Sequence, residues 1–133
     1  MPQAEKYLKI LLWLIALHSF VVAMLLIFLG EEGMQYFGFS SGNSFFQVQG
    51  GVFHVVMCTA YLLAARKPSN NKGLILFIIT AKLIAMLYLL IYYFCCEAVI
   101  TVLLSGIGDG LMGLLLMLLW LKMHAKTKED AHG

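Results

Sequence analysis

Four long apolar runs, separated by short polar segments, dominate the pattern of hydrophobic and polar positions along the chain. Each is about 20 residues or longer, which is enough for a helix to cross a hydrocarbon core about 30 Å thick. Because lipid offers no water to backbone N–H and C=O groups, helices that pair these groups internally are expected. The sequence therefore predicts an all-α integral membrane protein, a single domain in which four transmembrane helices form an antiparallel bundle. The predicted spans are 8–29, 45–65, 74–94 and 98–121, built on the apolar runs Ile10–Leu29, Phe45–Ala65, Leu74–Phe94 and Ala98–Leu121.

Composition supports a membrane protein over a soluble one. Only 12% of the 133 residues are charged and 62% are hydrophobic, whereas about a quarter of a soluble domain is charged. The first run is longer than the apolar core of about 7–15 residues in a cleaved signal peptide. We therefore retain it as the first transmembrane helix.

The distribution of basic residues predicts the orientation of the four helices. Eight of the nine Lys and Arg residues lie at the N-terminus, in the middle loop or at the C-terminus, all on one side of a four-span bundle. The other two loops carry only acidic charges, Glu31, Glu32 and Glu97. By the positive-inside rule both termini are cytoplasmic, and residues 124–133 are predicted to form a flexible cytoplasmic tail. The eight basic residues are Lys6, Lys9, Arg66, Lys67, Lys72, Lys122, Lys126 and Lys128.

One ionisable residue interrupts the middle of each apolar run: His18, His54, Lys82 and Asp109. At a rise of 1.5 Å per residue they lie about 12, 17, 12 and 18 Å from the cytoplasmic ends of their runs. All four are thus predicted near the bilayer midplane. Facing lipid there would cost about 2.5–3.5 kcal/mol for Asp or Lys, so all four are expected to face the interior.

Smaller polar residues and glycines follow the same helical faces. Gln47, Cys58 and Tyr61 share a stripe with His54, whereas Thr101 and Ser105 precede Asp109 at intervals of four. These five are predicted to surround the midplane cluster. Glycines beside Asp109 would let a neighbouring backbone approach closely, and the G-x-x-x-G spacing is typical of helix packing in membranes. The packing glycines are Gly106, Gly110 and Gly113.

Several roles for the midplane residues are compatible with the sequence. Lys82 and Asp109 lie on neighbouring helices, so they are expected to form an intramembrane ion pair that fixes helix register, or else a site that handles protons or binds an anion. His18 and His54 form interhelical hydrogen bonds in one interpretation and ligate a haem in another. No other metal site is expected, because carboxylate ligands are too few.

The adjacent cysteines Cys95 and Cys96 lie near the outer edge of the third span. Redox chemistry is one interpretation of this pair, and inert or lipid-modified thiols are the other. The sequence G-D-G-L-M-G at 108–113 matches the glycine pattern of a dinucleotide site. It lacks the preceding strand that such a site needs, so nucleotide binding is rejected.

The segments "GGVFHVVMCTAYLLAARKP", "LIAMLYLLIYY" and "GIGDGLMGLLLMLLWL" resemble a pattern in small four-helix bacterial membrane proteins that are loosely DoxX-like. The resemblance covers the second to fourth helices and implies the inner membrane of a bacterium. The DoxX name implies a membrane subunit of a quinone oxidoreductase.

We expect a non-enzymatic membrane protein whose polar cluster organises the bundle and binds a small ligand or a partner helix. The alternatives are a quinone- or haem-linked redox subunit and a proton-coupled carrier. Without a redox role no cofactor is expected, and haem or quinone is the cofactor if there is one. The lipid bilayer, a second copy of the chain or a larger membrane complex are the expected partners, and nucleic acid is not.

Overall fold

The computed structural model describes residues 3–39 and 44–129, with side chains as far as Ala125. Within these residues the chain forms five helices and no strand. Four of the helices are long and apolar enough to cross a membrane, which confirms the prediction of an all-α chain with four long apolar helices. The helices are α1 (Gln3–Phe28), α2 (Glu31–Tyr36), α3 (Ser44–Arg66), α4 (Lys72–Cys95) and α5 (Ile100–Glu129).

Helices α1 and α5 extend beyond the apolar runs that predicted them. The first begins at Gln3 and the last continues to Glu129. Both extensions are rich in lysine, a good helix former, and neither contains a glycine or proline that would end the helix. The predicted tail 124–133 is thus helical through Glu129, and residues 130–133 lie outside the described part of the chain.

The short helix α2 lies in the connection between α1 and α3. Glu31 and Glu32 occupy its first turn, where negative charge interacts favourably with the positive end of the helix dipole. After α2, Gly38 has a φ of +88°, which lies in the left-handed region that favours glycine. The neighbouring residue Phe37 lies against the long helices, since its carbonyl accepts a hydrogen bond from Thr101 of α5.

The long helices pack mainly as two pairs, α1 with α3 and α4 with α5, with further contacts between α1 and α5 and between α3 and α4. The core of buried residues lies at the ends of the helices that adjoin the α3–α4 loop. In the other half the fully buried side chains are small, as at Ser19 and Ala23. Among the described residues, the large buried side chains are therefore concentrated in one half of the molecule. The core residues are Leu8, Leu12, Ile15, Ala16, Tyr61, Ala64, Ala65, Ile75, Ile78, Ile79, Leu116 and Met123.

Helix α5 presents glycines to α4. A Cβ atom added to Gly106 would lie 3.2 Å from Cβ of Leu89, and one added to Gly113 would lie 3.2 Å from Cβ of Lys82. Between them, Gly110 faces the side chain of Met86. The absence of side chains at these three positions lets the two helix backbones approach closely enough for their polar residues to meet.

Candidate functional site

Lys82 and Asp109 are in direct contact at the interface of α4 and α5. Nζ of Lys82 donates a hydrogen bond to Oδ1 of Asp109 at 2.5 Å, and only 5% of the lysine side chain and 16% of the aspartate side chain are exposed. Lys82 continues the buried face of α4 that includes Ile75, Ile78 and Ile79. Its helical position therefore directs the ammonium group into the interior, where a charge needs a partner.

The ring of Tyr61 provides a second contact for the same ammonium group. Its centroid lies 5.6 Å from Nζ of Lys82, within the distance at which an aromatic face attracts a cation. Tyr61 is itself buried on α3. Helices α3, α4 and α5 thus each contribute one side chain to this contact.

His54 of α3 is held by Ser19 of α1 through two contacts. Oγ of Ser19 lies 3.0 Å from Nδ1 of His54 and donates to the backbone carbonyl of His54 at 3.2 Å. A hydroxyl group has only one hydrogen, so both contacts are hydrogen bonds only if Nδ1 carries a hydrogen and donates to Oγ. This arrangement leaves Nε2 of the neutral imidazole as a hydrogen-bond acceptor.

His18 differs from the other three predicted midplane residues because it is exposed. It forms no hydrogen bond to another described residue. The neighbouring Ser19 is fully buried instead and is the residue of α1 that faces α3. The structure therefore joins Lys82 to Asp109 and His54 to Ser19, but it does not bring His18 into a polar contact with any of them.

A cavity of about 420 Å³ nevertheless includes His18, His54 and Asp109 in its lining. It lies in the loosely filled half of the molecule, between α1, α3, α4 and α5, and the segment around α2 covers it. Most of its lining is apolar, with Thr101 and Ser105 adding two hydroxyl groups. The apolar lining residues are Val22, Leu25, Leu26, Leu29, Met34, Phe37, Phe39, Leu89, Val102 and Leu104.

A second, smaller cavity of about 290 Å³ lies between α3 and α4, where these helices make few contacts. Lys82 and Tyr61 line it, as do His54, Leu89 and Asp109. The last three residues also line the first cavity. They form the partition between the two spaces, and two of the three can accept or donate a proton.

The residues predicted to surround the midplane cluster have different positions in the structure. Ser105 lines the larger cavity, and Tyr61 lies beside Lys82. Thr101 donates a hydrogen bond to the carbonyl of Phe37 at 2.8 Å, so it connects α5 to the segment that follows α2. Gln47 and Cys58 do not reach the cluster. The amide of Gln47 donates to the carbonyls of Leu26 and Leu29 at the end of α1, and the thiol of Cys58 donates to the carbonyl of Ala16.

The structure adds little to the hypotheses of metal and thiol chemistry. Among the described residues no group of three or more His, Cys, Asp or Glu side chains could hold a metal ion. Ligation of haem by His18 and His54 stays a prediction. Cys95 and Cys96 are free and exposed at the end of α4, whereas Cys58 is partly buried on α3.

Sequence reasoning missed Ser19, which fixes His54, and the aromatic residues around α2, which cover the larger cavity. Ser19 had a recognisable signal because it is the only Ser or Thr within the apolar run Ile10–Leu29. Phe37 and Phe39 had no comparable signal, since nothing in their spacing shows where a loop folds back.

Comparisons of the chain with protein-family models, with curated proteins and with solved structures gave no match. Its function must therefore be argued from its own residues.

Proposed function

We propose that the chain is an integral membrane protein of a bacterial inner membrane, folded as an antiparallel four-helix bundle with both termini in the cytoplasm. Large apolar side chains are exposed along all four long helices, as at Leu17 (61%), Phe53 (62%), Ile84 (62%) and Leu104 (61%). So extensive an apolar exterior is unfavourable in water and suits lipid. The separation of basic and acidic loops supports the orientation.

The order of contacts between α4 and α5 supports the antiparallel arrangement. Gly106 faces Leu89, Gly110 faces Met86 and Gly113 faces Lys82, so residue numbers rise along one helix as they fall along the other. The connection between the two helices is only residues 96–99. So short a connection between long contacting helices favours opposite directions for the two helices.

The native cysteines allow a direct test of orientation. Cys95 and Cys96 are exposed at the end of α4, on the side opposite the α3–α4 loop. A membrane-impermeant maleimide added to intact cells should label them. In a variant without native cysteines, Lys67→Cys in the α3–α4 loop should be labelled only after the cells are opened. The reverse pattern would show that the orientation is wrong.

Within this fold, the function we propose is non-enzymatic binding of a small lipophilic molecule in the larger cavity. The observation that carries the proposal is the combination of a mostly apolar lining with a few ionisable side chains, His18, His54 and Asp109. Binding sites for small molecules typically combine apolar surroundings with a few convergent polar groups. The exposed residues Leu25 and Leu104 also belong to the lining, so the cavity reaches the exterior between α1 and α5, where lipid would lie.

Mass analysis of molecules that copurify with the protein tests this proposal. Ser105→Trp places a large side chain in the cavity, whereas Leu111→Trp alters an exposed position on the same helix outside it. We expect a small organic molecule to copurify with the wild type and with Leu111→Trp but not with Ser105→Trp. Identical extracts from all three proteins would refute binding in this cavity. A quinone or haem in the extract would favour the redox alternative.

A proton-coupled carrier is a second candidate, favoured by the partition between the cavities. His54 and Asp109 line both cavities, so a proton on either residue is within reach of either cavity. A carrier of this size would be expected to assemble from more than one copy. Proteoliposomes with a pH-sensitive dye inside should then acidify when a pH gradient is imposed, and Asp109→Asn should abolish the signal. A response equal to that of empty liposomes would exclude this candidate.

A further inference from the structure

We propose that the molecule held in the larger cavity is a lipophilic amine, bound by N–H donation to acceptor atoms of the polar side chains in the cavity lining. This inference rests on the proposed binding function and adds the chemical class of the molecule. It follows from the balance of hydrogen-bond donors and acceptors around the cavity. That balance can be worked out for each polar residue in the lining.

Four of the polar groups in the lining offer acceptors with little competition. Asp109 is acceptor-only when ionised, and Lys82 contacts only its Oδ1 atom. His54 donates its Nδ1 hydrogen to Oγ of Ser19, which leaves Nε2 as an acceptor. Thr101 donates its hydroxyl hydrogen to the carbonyl of Phe37, which leaves the hydroxyl oxygen as an acceptor. His18 has one accepting nitrogen in either neutral tautomer.

Donors in the same lining are fewer. The described residues of the cavity provide one N–H from His18 and one O–H from Ser105. The strongest donor of the region, the ammonium group of Lys82, lies on the other side of Asp109 and lines the second cavity instead. A molecule rich in acceptors, such as a carboxylate or a quinone, would leave most of these atoms unpaired. An amine would pair with them.

The remainder of the lining determines that the amine is lipophilic. Leucines, valines and aromatic side chains form the other walls, and the cavity reaches the exterior between Leu25 and Leu104. A hydrocarbon chain attached to the nitrogen could lie along these walls and continue outward into the apolar exterior. Burial of each CH₂ group increases affinity by about fourfold, so a chain of moderate length would contribute much of the affinity.

Four probes with the same decyl chain separate the chemistry of the head group from that of the chain. They are decylamine, decyltrimethylammonium, decanol and decanoate. Displacement of tritiated decylamine from the full-length protein in nanodiscs gives their relative affinities, with empty nanodiscs as the blank. We expect decylamine to bind at least about tenfold more tightly than each of the others, because a charge-assisted hydrogen bond is worth roughly 1.5–3 kcal/mol. The quaternary probe carries the charge without an N–H donor.

Variants connect the preference to the cavity. Ser105→Trp should abolish binding of every probe, whereas Leu111→Trp should leave it unchanged. His18→Phe removes an acceptor at an exposed position that makes no hydrogen bond within the described chain, so the fold should tolerate it. It should weaken decylamine binding by about threefold to tenfold, as expected for loss of one polar contact, and leave binding of decyltrimethylammonium, which has no hydrogen-bond donor, unaffected.

The outcomes distinguish the amine from the binding function. If decanoate, decanol or the quaternary probe binds as tightly as decylamine or more tightly, and Ser105→Trp still abolishes this binding, the bound molecule is not an amine but the cavity remains a binding site. Binding that Ser105→Trp does not affect would overturn both. Absence of binding by all four probes would overturn the amine alone, because copurification tests the binding function independently.

Discussion

A double-mutant cycle on Lys82 and Asp109 measures how strongly the two side chains are coupled. At a separation of 2.5 Å, two unit charges attract by about 7 kcal/mol if the effective dielectric constant is about 20. The cost of removing both groups from solvent offsets much of this attraction. Removal of one partner leaves the other buried and unpaired, so Lys82→Met and Asp109→Asn should each lower the free energy of unfolding by about 3–5 kcal/mol.

The double variant Lys82→Met, Asp109→Asn should recover part of the loss. It leaves no buried charge at the α4–α5 interface, so its cost should fall below the sum of the two single costs by about 1–3 kcal/mol. Packing should survive, since Met retains the hydrocarbon stem of the lysine, and it is the Cβ atom of Lys82 that faces Gly113. A recovery of this size would show that the two residues are energetically coupled.

Reversible unfolding in mixed detergent micelles, followed by loss of helical circular dichroism, provides the measurement. Lys72→Met is the matched control, because Lys72 is exposed at the first turn of α4. Its effect should remain within about 0.5 kcal/mol. Additive losses in the double variant, within about 0.5 kcal/mol, would refute the reasoning, because they would show that the two residues act independently.

Three further predictions use the same unfolding measurement. Gly106→Val should lower the free energy of unfolding by about 1–3 kcal/mol, because a Cβ atom there would lie 3.2 Å from Cβ of Leu89. Gly108→Val is the control and should have little effect, because nothing lies within 4 Å of a Cβ atom at that position. Equal effects of the two variants would contradict the close packing of α4 and α5. Ser19→Ala should cost about 1–2 kcal/mol and change the ¹⁵N chemical shifts of the His54 ring, and unchanged shifts would show that Ser19 does not fix the tautomer. Gln47→Leu should cost about 1–3 kcal/mol by leaving the carbonyls of Leu26 and Leu29 without their donor, and a neutral result would mean that these carbonyls find other partners.

The number and approximate positions of the long helices were predictable because hydrophobicity determines them. An apolar run of about 20 residues has few other stable forms, and the structure contains four such helices. The ends were less predictable. Helix α5 passes its predicted limit at Leu121 because lysines and alanine continue a helix as readily as leucine does. Hydrophobicity indicates where a segment could enter a membrane and not where its backbone stops being helical.

The height of a residue along its helix follows from its number in the sequence, but its direction about the helix axis was harder to predict. His18 and Ser19 differ by only 1.5 Å in height yet by about 100° in direction. The structure turns Ser19 toward His54 and leaves His18 exposed at the cavity. For α4 the periodic isoleucines Ile75, Ile78 and Ile79 set the direction of Lys82. Helix α1 is apolar on nearly every side, so its sequence offers no comparable guide.

The unequal filling of the two halves suggests that stability and binding are carried by different residues. Large side chains such as Leu12 and Ile78 fill the half next to the α3–α4 loop, and their truncation should destabilise the bundle without changing the cavity. Ser105 and His18 lie in the other half, where substitution should alter binding with little effect on stability. Asp109 contributes to both stability and binding, because it contacts Lys82 at the α4–α5 interface and lines both cavities. If an amine binds beside it, occupation of the cavity must change the energetic coupling between Asp109 and Lys82. A double-mutant cycle repeated in the presence of decylamine should therefore give a different coupling energy from the cycle without it.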